Sequence, residues 1–116
     1  MREVIRGCLW LGTAIDTRAV RALYDAGVEA VVDLAYEELP AQLPRELCYC
    51  RFPLLDGLGS RIGLLSAALE TAAALIRQEM PTLVACGAAM SRSPAVLATA
   101  LWHASSATRE SWPASR

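Results

Sequence analysis

The sequence predicts an α/β domain with a central, mainly parallel sheet flanked by helices. First, the apolar pattern changes its period several times along the 116 residues, and each change falls at a turn signal. Second, the segment from Val28 to Leu34 is apolar on both faces, which is typical of a strand covered on two sides. Third, a long segment rich in alanine and leucine, about Ile62 to Glu79, has the composition of a helix that lies on a sheet.

The first half of the chain contains two predicted strands joined by a helix. The strands are Cys8 to Gly12 and Val28 to Leu34. Asp16 is expected to cap the N-terminus of the helix, and Gly27 is expected to end it. The apolar face of this helix is predicted to contain Val20, Leu23 and Tyr24. A polar stretch with two prolines, residues 35–46, is predicted to be a loop.

The second half is predicted to continue with a strand, the long helix and a strand–turn–helix unit. The strand, LCYCRFPLL, runs from Leu47 to Leu55 and ends at an Asp-Gly pair. Pro81 closes the long helix, and the short apolar segment from Thr82 to Cys86 is predicted to be a central strand. A polar turn then leads into a helix with Ser93 as its N-cap and Pro94 as its first residue.

The composition indicates one soluble, cytoplasmic domain. Residues 1–104 form the predicted domain, and residues 105–116 form a tail without a periodic pattern, which is expected to be loosely held. The hydrophobic content is 54% and the formal net charge is −1, without the basic stripe that nucleic-acid binding needs. No apolar run approaches the roughly 18 residues of a membrane span, and the first residues lack the apolar stretch of a secretory signal. We therefore expect neither nucleic acid nor membrane as a partner, and the oligomeric state stays open.

The four cysteines are expected to be reduced thiols. Cys48 and Cys50 are too close along one strand to form a disulfide with each other. Together with Cys8 they lie among apolar neighbours and are interpreted as small core residues. A metal role for the C-x-C pair would need further ligands that the sequence does not offer. We therefore predict no metal and no cofactor.

The segment CGAAMSRS carries the chemistry that the sequence predicts. Cys86 ends a strand, five small or flexible residues follow it, and Arg92 stands just before the N-terminus of a helix. A loop of this length allows successive backbone N–H groups to point inward at an anion, and the helix adds its positive end. The residues predicted to bind a substrate phosphate in this way are Gly87, Ala88, Ala89, Met90, Ser91 and Arg92.

The side chains around this loop have distinct predicted roles. Arg92 clamps two phosphate oxygens, and the positive field lowers the pKa of Cys86 so that it is the nucleophilic thiolate. Attack on phosphorus gives a cysteinyl-phosphate, which water hydrolyses in a second step. Asp56 is the predicted general acid for the leaving group, with a turn-forming role before a glycine as the alternative. Ser93 caps the following helix and donates to the Cys86 sulfur, whereas His103 is interpreted as a surface or packing residue.

These residues resemble the dual-specificity branch of the protein tyrosine phosphatase superfamily. The resemblance rests on CGAAMSRSPAV, on YCRFPLLDG and on LWLGTAIDTRAVRALYDAGVEAVVDLAYE, and it covers Cys8 to about His103. It implies a phosphatase-like, parallel-rich sheet flanked by helices, a thiol mechanism without metal, and a shallow cleft. By position, the matches to that family's nucleophile, phosphate clamp, hydroxyl helper and general acid are Cys86, Arg92, Ser93 and Asp56, in that order.

The sequence departs from this family at three points. Ala85 stands where the family usually has histidine, Ala89 stands where it usually has glycine, and an unpatterned tail stands where the family's C-terminal helices would follow. The first predicted function is a phosphatase acting on a phosphorylated protein, at phosphotyrosine, phosphoserine or phosphothreonine, or on another phosphate monoester. A pseudophosphatase that binds phosphorylated partners without turnover is the alternative. A purely structural partner domain is the third hypothesis.

Overall fold

The described residues of this computed structural model, 1–36, 38–54 and 62–86, form one five-stranded sheet with a helix on each face. The strands are β1 (Arg2–Ile5), β2 (Leu9–Thr13), β3 (Ala30–Ala35), β4 (Cys48–Leu54) and β5 (Thr82–Cys86). The helices are α1 (Val20–Ala26) and α2 (Ile62–Arg77), and a short 3-10 helix (Asp16–Arg18) precedes α1. The predicted α/β class is confirmed.

The strand order is β1-β2-β5-β3-β4, with β5 in the centre. β2, β5, β3 and β4 are parallel neighbours, and β1 runs antiparallel beside β2. The mainly parallel sheet and the central position of β5 are therefore as predicted. β1 is absent from the sequence-based prediction, because only Ile5 of its four residues is even partly buried and the strand lacks an apolar pattern.

The four parallel strands end on one side of the sheet, which we call the carboxyl edge. Their last residues are Thr13, Cys86, Ala35 and Leu54 for β2, β5, β3 and β4. The connections that leave β2, β3 and β4 start from this edge. In open α/β sheets this is the place where ligands bind, because the loops that follow the strands meet there.

Two apolar layers hold the helices to the sheet. On one face, α1 contributes Leu23, which packs with Val31 of β3 and Leu83 of β5. On the other face, α2 contributes a stripe of small and branched side chains, Ala68, Ala72 and Ile76, to a core with residues of β2, β3, β4 and β5. All residues of β3 and β5 are buried, as predicted for strands that are covered on two sides.

The region between β2 and α1 differs from the prediction. Asp16 does not cap α1, since the helix begins at Val20 and no side chain bonds to its first turn. Asp16 instead starts the 3-10 helix and accepts a hydrogen bond from the backbone N–H of Thr13 (2.9 Å). Tyr24 is 48% exposed, so its predicted place on the apolar face of the helix is wrong. Gly27 ends α1 as predicted, with the left-handed φ of 82°.

The remaining boundaries shift by one or two residues. α2 ends at Arg77 rather than Glu79, and Glu79 takes a positive φ of 61° in the turn before Pro81. Residues 38–47 contain neither helix nor strand, in agreement with the predicted loop. The part of the chain that the structure describes contains no helix with the length and apolar character needed to cross a membrane.

Several sequence-based predictions fall on residues outside the described ranges. These are the general acid Asp56, the phosphate-binding residues 87–92, the helix beginning at Ser93, His103 and the tail from residue 105. Of the predicted catalytic residues, only Cys86 lies within the described part of the chain.

Gly27 allows a test of the α1 terminus. Because its φ is positive, a Cβ there strains the backbone, and we expect Gly27→Ala to lower the free energy of unfolding by about 1–2 kcal/mol. Gly63 in α2 is the matched control, since a Cβ there meets no atom within 4 Å and its φ is not positive. Gly63→Ala should leave stability unchanged or raise it by up to about 1 kcal/mol. Urea unfolding of both variants measures the difference, and equal effects would contradict this account of the helix end.

Candidate active site

Cys86 is the last residue of the central strand β5. On one side it pairs in register with Thr13 of β2, and on the other its neighbour Ala85 pairs with Asp33 of β3. The thiol lies on the side of the sheet that α2 covers, within a cluster that includes Leu11 and Leu34. Cys86 is 4% exposed. The predicted nucleophile is therefore held by two neighbouring strands at the carboxyl edge, and its surroundings within the described residues are apolar.

The surroundings of Cys86 disfavour its thiolate. Burial raises its pKa, the negative charge of Asp33 adds to the effect, and together they bring the pKa to about 11. This direction is opposite to the lowered pKa expected from the sequence. The groups expected to lower it, Arg92, the loop amides and the end of the following helix, lie outside the described residues. The described residues therefore only raise the pKa of Cys86, through burial of the thiol and through the negative charge of Asp33.

Asp33 is the charged residue closest to the centre of the sheet. Its side chain is 2% exposed, and its Oδ1 accepts the backbone N–H of Ala35 (3.0 Å). Its Oδ2 accepts the Tyr49 hydroxyl, and the Arg51 Nε lies 3.9 Å from the same oxygen. A buried carboxylate needs such partners, because desolvation without them costs several kcal/mol, on the order of the whole stability of a domain. Asp33 therefore belongs to a buried polar network on β3 and β4.

Arg51 extends this network into the loop that follows β3. Its Nη2 donates to the carbonyl oxygens of Ala35 (3.2 Å), Tyr36 (3.5 Å) and Glu38 (2.8 Å). The Glu38 carboxylate in turn pairs with the Arg18 guanidinium at 3.2 Å, an exposed contact that adds little energy. Through these contacts β4 fixes the start of the loop beside the carboxyl edge.

Tyr49 connects the same network to the middle of the loop. Its hydroxyl donates to Asp33 and accepts the backbone N–H of Ala41 (3.0 Å). Burial raises the pKa of Tyr49, and the hydrogen bond to Asp33 raises it further. The neutral phenol is therefore the form that the network stabilises.

Sequence reasoning missed Asp33, Tyr49 and Arg51. A signal for Asp33 was present, since it is the single carboxylate inside the otherwise apolar run AVVDLA, and a carboxylate is almost never buried without partners. Nothing in the sequence indicates which residues those partners are. Tyr49 and Arg51 alternate along β4, so they lie on one face, but that relation becomes visible only once the register with β3 is known.

Asp16 contacts the carboxyl-terminal end of β2. Its carboxylate accepts the Thr13 N–H and also pairs with the amino group of Met1 at 3.2 Å. A Cβ at Gly12 would overlap with the Asp16 Oδ2, so glycine is required at this position for the carboxylate to approach the backbone. Thr13, the register partner of Cys86, is therefore held by a side chain from the following turn.

Ala85 occupies the position at which the phosphatase family that the sequence resembles usually has histidine. Its side chain is fully buried in β5, between Gly12 on one side and Asp33 on the other. A larger side chain here would overpack the core, at a typical cost of about 1–3 kcal/mol. Asp33→Asn changes the electrostatics around Cys86 without adding volume to the core, whereas a histidine at position 85 would add volume.

The other cysteines depart in part from the expectation that they are core residues. All four thiols are free; Cys48 is exposed, and Cys8 and Cys50 are half-buried. The Sγ atoms of Cys48 and Cys50 lie 3.8 Å apart. Burial raises the pKa of Cys50, and the neighbouring thiol of Cys48 raises it further.

Comparison of the chain with models of known protein families gave no match, and a search among curated proteins gave none either. A functional assignment therefore depends on the residues and geometry described above. Within residues 1–36, 38–54 and 62–86, no group of three or more Cys, His, Asp and Glu side chains is arranged to hold a metal ion.

The Tyr49 hydroxyl provides a test of the buried network. Tyr49→Phe leaves the Asp33 carboxylate short of a donor and the Ala41 N–H short of an acceptor, so we expect a loss of about 1–3 kcal/mol in the free energy of unfolding. Tyr24→Phe is the matched control, since Tyr24 is 48% exposed and the change should stay within about 0.5 kcal/mol. Urea unfolding measures both, and an unaffected Tyr49→Phe protein would show that the network contributes no net stability.

Asp33→Asn tests the electrostatic coupling to the thiol. Because the Asp33 charge raises the pKa of Cys86, its removal should shift the pH dependence of Cys86 alkylation by iodoacetamide to lower pH. Mass spectrometry of the Cys86 peptide follows the reaction. Asp25→Asn is the control, because Asp25 lies on the exposed side of α1, paired with Arg21. An identical alkylation profile for folded Asp33→Asn and Asp25→Asn would contradict the coupling.

Proposed function

We propose that this chain is a cysteine-dependent phosphatase of the dual-specificity type, which hydrolyses phosphate monoesters through a cysteinyl-phosphate on Cys86. The observation that supports it most is the position of Cys86 as the last residue of the central parallel strand. β5 ends at the carboxyl edge between β2 and β3, and the segment GAAMSR, residues 87–92, follows it directly in the sequence. A strand that ends at a thiol, followed by five residues with small or unbranched side chains and an arginine, suits an anion-binding loop.

The position of β4 supports Asp56 as the general acid. β4 ends at Leu54 at the same edge as β5, and Asp56 follows two residues later. The ends of β4 and β5 are separated by β3, thus by two strand spacings or about 10 Å. Two residues of chain span up to about 7 Å, and the carboxylate adds further reach. The separation of the two strand ends is therefore compatible with Asp56 as the proton donor to a substrate held next to Cys86.

The proposed reaction has two steps with balanced proton transfers. The Cys86 thiolate attacks phosphorus, the S–P bond forms, the ester O–P bond breaks, and Asp56 gives its proton to the leaving oxygen. Water then attacks the cysteinyl-phosphate while the Asp56 carboxylate accepts its proton. The S–P bond breaks, and Ser93 donates to the departing thiolate. Arg92 and the backbone N–H groups of residues 87–92 stabilise the phosphoryl oxygens throughout.

The burial of Cys86 sets a requirement for this mechanism. With a pKa of about 11, a thiol is ionised in only about one molecule in 10⁴ at pH 7. Arg92, the loop amides and the following helix must therefore lower the pKa by several units for catalysis at neutral pH. A bound phosphate monoester does not help in this respect, because its own negative charge opposes the thiolate.

The same observation favours a second candidate, a pseudophosphatase. A buried Cys86 beside Asp33 that keeps its proton would leave an anion-binding loop without a nucleophile. Such a protein would hold a phosphorylated partner and release it unchanged. Phosphate or vanadate binding in the absence of turnover distinguishes this candidate from the phosphatase, and the absence of both would leave only the structural partner domain.

Turnover of an activated aryl phosphate tests the nucleophile. We expect Cys86→Ser and Cys86→Ala to lower kcat by about 10³-fold or more, because neither side chain ionises near neutral pH. Two variants are needed, since serine places a hydroxyl in a buried site and alanine does not. Cys8→Ser is the matched control, since it also replaces a thiol by a hydroxyl but at a half-buried position, and it should keep wild-type activity. Full activity in folded Cys86→Ala would remove Cys86 from the mechanism.

Leaving-group dependence tests Asp56. For Asp56→Asn we expect a loss of about 10²–10⁴-fold with an alkyl phosphate, whose leaving group needs a proton, and a much smaller loss with an activated aryl phosphate. Steady-state kinetics with both substrates measures the ratio. An equal loss with the two substrates would assign Asp56 a structural role in the turn before Gly57.

A further inference from the structure

The two thiols on β4 form a pair that the proposed reaction does not use. Cys48 and Cys50 are separated by one residue on an extended strand, so both side chains point to the same face of the sheet. β4 is one of the two edge strands of the sheet that the structure describes, and its Cys48 is exposed. The pair lies at the amino end of β4, whereas the proposed phosphatase site is at the carboxyl edge. It is therefore a separate place on the molecule.

The distance between the two sulfur atoms fits a shared metal ion. Zinc binds thiolates at about 2.3 Å in tetrahedral geometry, which places two thiolate sulfurs about 3.8 Å apart. The Sγ atoms of Cys48 and Cys50 are 3.8 Å apart without any rearrangement. Linear coordination at the same bond length would need about 4.6 Å. The pair is thus preorganised for two corners of a tetrahedron.

A disulfide fits the same pair less well. The two sulfurs would have to approach to about 2.05 Å, and the Cα atoms, two residues apart on an extended strand, are at the upper limit of about 6.8 Å that disulfides tolerate. Formation of the bond would therefore favour a shorter Cα–Cα separation than the extended strand provides. Such a shortening would disturb the pairing of Cys48 and Cys50 with Ala30 and Val32 of β3.

We propose that Cys48 and Cys50 form a two-thiolate site for one tetrahedral, thiophilic divalent cation of the zinc and cadmium type. Each thiol gives its proton to solvent as the ion binds, so that two S–metal bonds replace two S–H bonds. Within the described residues no third Cys, His, Asp or Glu completes the set. The other two positions are open to water or to an exogenous ligand. The site is therefore an exchangeable one rather than a closed structural centre.

Cadmium titration of the reduced full-length chain tests this site. We expect one Cd²⁺ per chain, detected by the ultraviolet charge-transfer band of Cd–thiolate bonds, and displacement of Cd²⁺ only by a large excess of Zn²⁺, because thiolates favour the softer cation. Cys48→Ser and Cys50→Ser should each weaken binding about tenfold or more, because a second thiolate held nearby acts as an intramolecular ligand. Both substitutions are at positions that are not fully buried, and circular dichroism verifies that the variants fold.

Two further thiol variants serve as controls. Cys8→Ser and Cys86→Ala should bind Cd²⁺ as the wild type does, since Cys8 and Cys86 lie on other strands or connections. The proposal is overturned if Cys48→Ser and Cys50→Ser retain wild-type affinity, if Cys86→Ala removes the binding, or if the wild type shows no charge-transfer band at micromolar Cd²⁺.

Discussion

The parallel pairing of β5 between β2 and β3 is the constraint on which the rest of the structure depends. All five residues of β5 are buried, and its register with both neighbours is continuous up to Ala85 or Cys86. The helices on the two faces pack on alternate residues of this strand, Leu83 on the side of α1 and Val84 on the side of α2. A strand held in this way ends at a fixed point, so the thiol of its last residue has a defined position at the carboxyl edge.

The burial that fixes the position of Cys86 also disfavours ionisation of its thiol. A nucleophilic cysteine needs its thiolate, and both the apolar surroundings and the charge of Asp33 favour the thiol. Asp33 has a structural purpose, since its carboxylate is bonded to Tyr49 and lies beside Arg51, which holds the loop after β3. In the proposed mechanism, the network that organises one side of the carboxyl edge therefore makes catalysis more dependent on Arg92. Under this proposal, the pKa of Cys86 decides whether the chain is a phosphatase or a pseudophosphatase.

Much of the fold could be predicted from the sequence, because its strongest signals are strands buried on both faces. The bounds of β5 match the predicted segment from Thr82 to Cys86, and Gly27 ends α1 as expected. The parts that could not be predicted depend on tertiary contacts. β1 is an exposed edge strand without an apolar pattern, and Asp16 bonds to Thr13 rather than to the helix, a choice that depends on the turn geometry.

In the candidate site, too, local sequence patterns predicted some features, whereas features that depend on tertiary contacts were missed. The terminal position of Cys86 on a central strand followed from the pattern of strand, polar turn and predicted helix. The partners of Asp33 could not be inferred, since they depend on the register between β3 and β4. The exposed thiol of Cys48 was also missed, because apolar neighbours along the chain do not reveal that β4 is an outer strand. Long-range pairing, which local periodicity does not encode, accounts for each of these differences.

Detection of a cysteinyl-phosphate would show whether Cys86 is the nucleophile. The chain is mixed with an aryl phosphate, quenched within the first turnover and digested, and the cysteine-containing peptides are analysed by mass spectrometry. We expect a phosphoryl group on the Cys86 peptide and none on the peptides that contain Cys8 or Cys48 and Cys50. Turnover without phosphate on Cys86, or with phosphate on another residue, would contradict this role of Cys86.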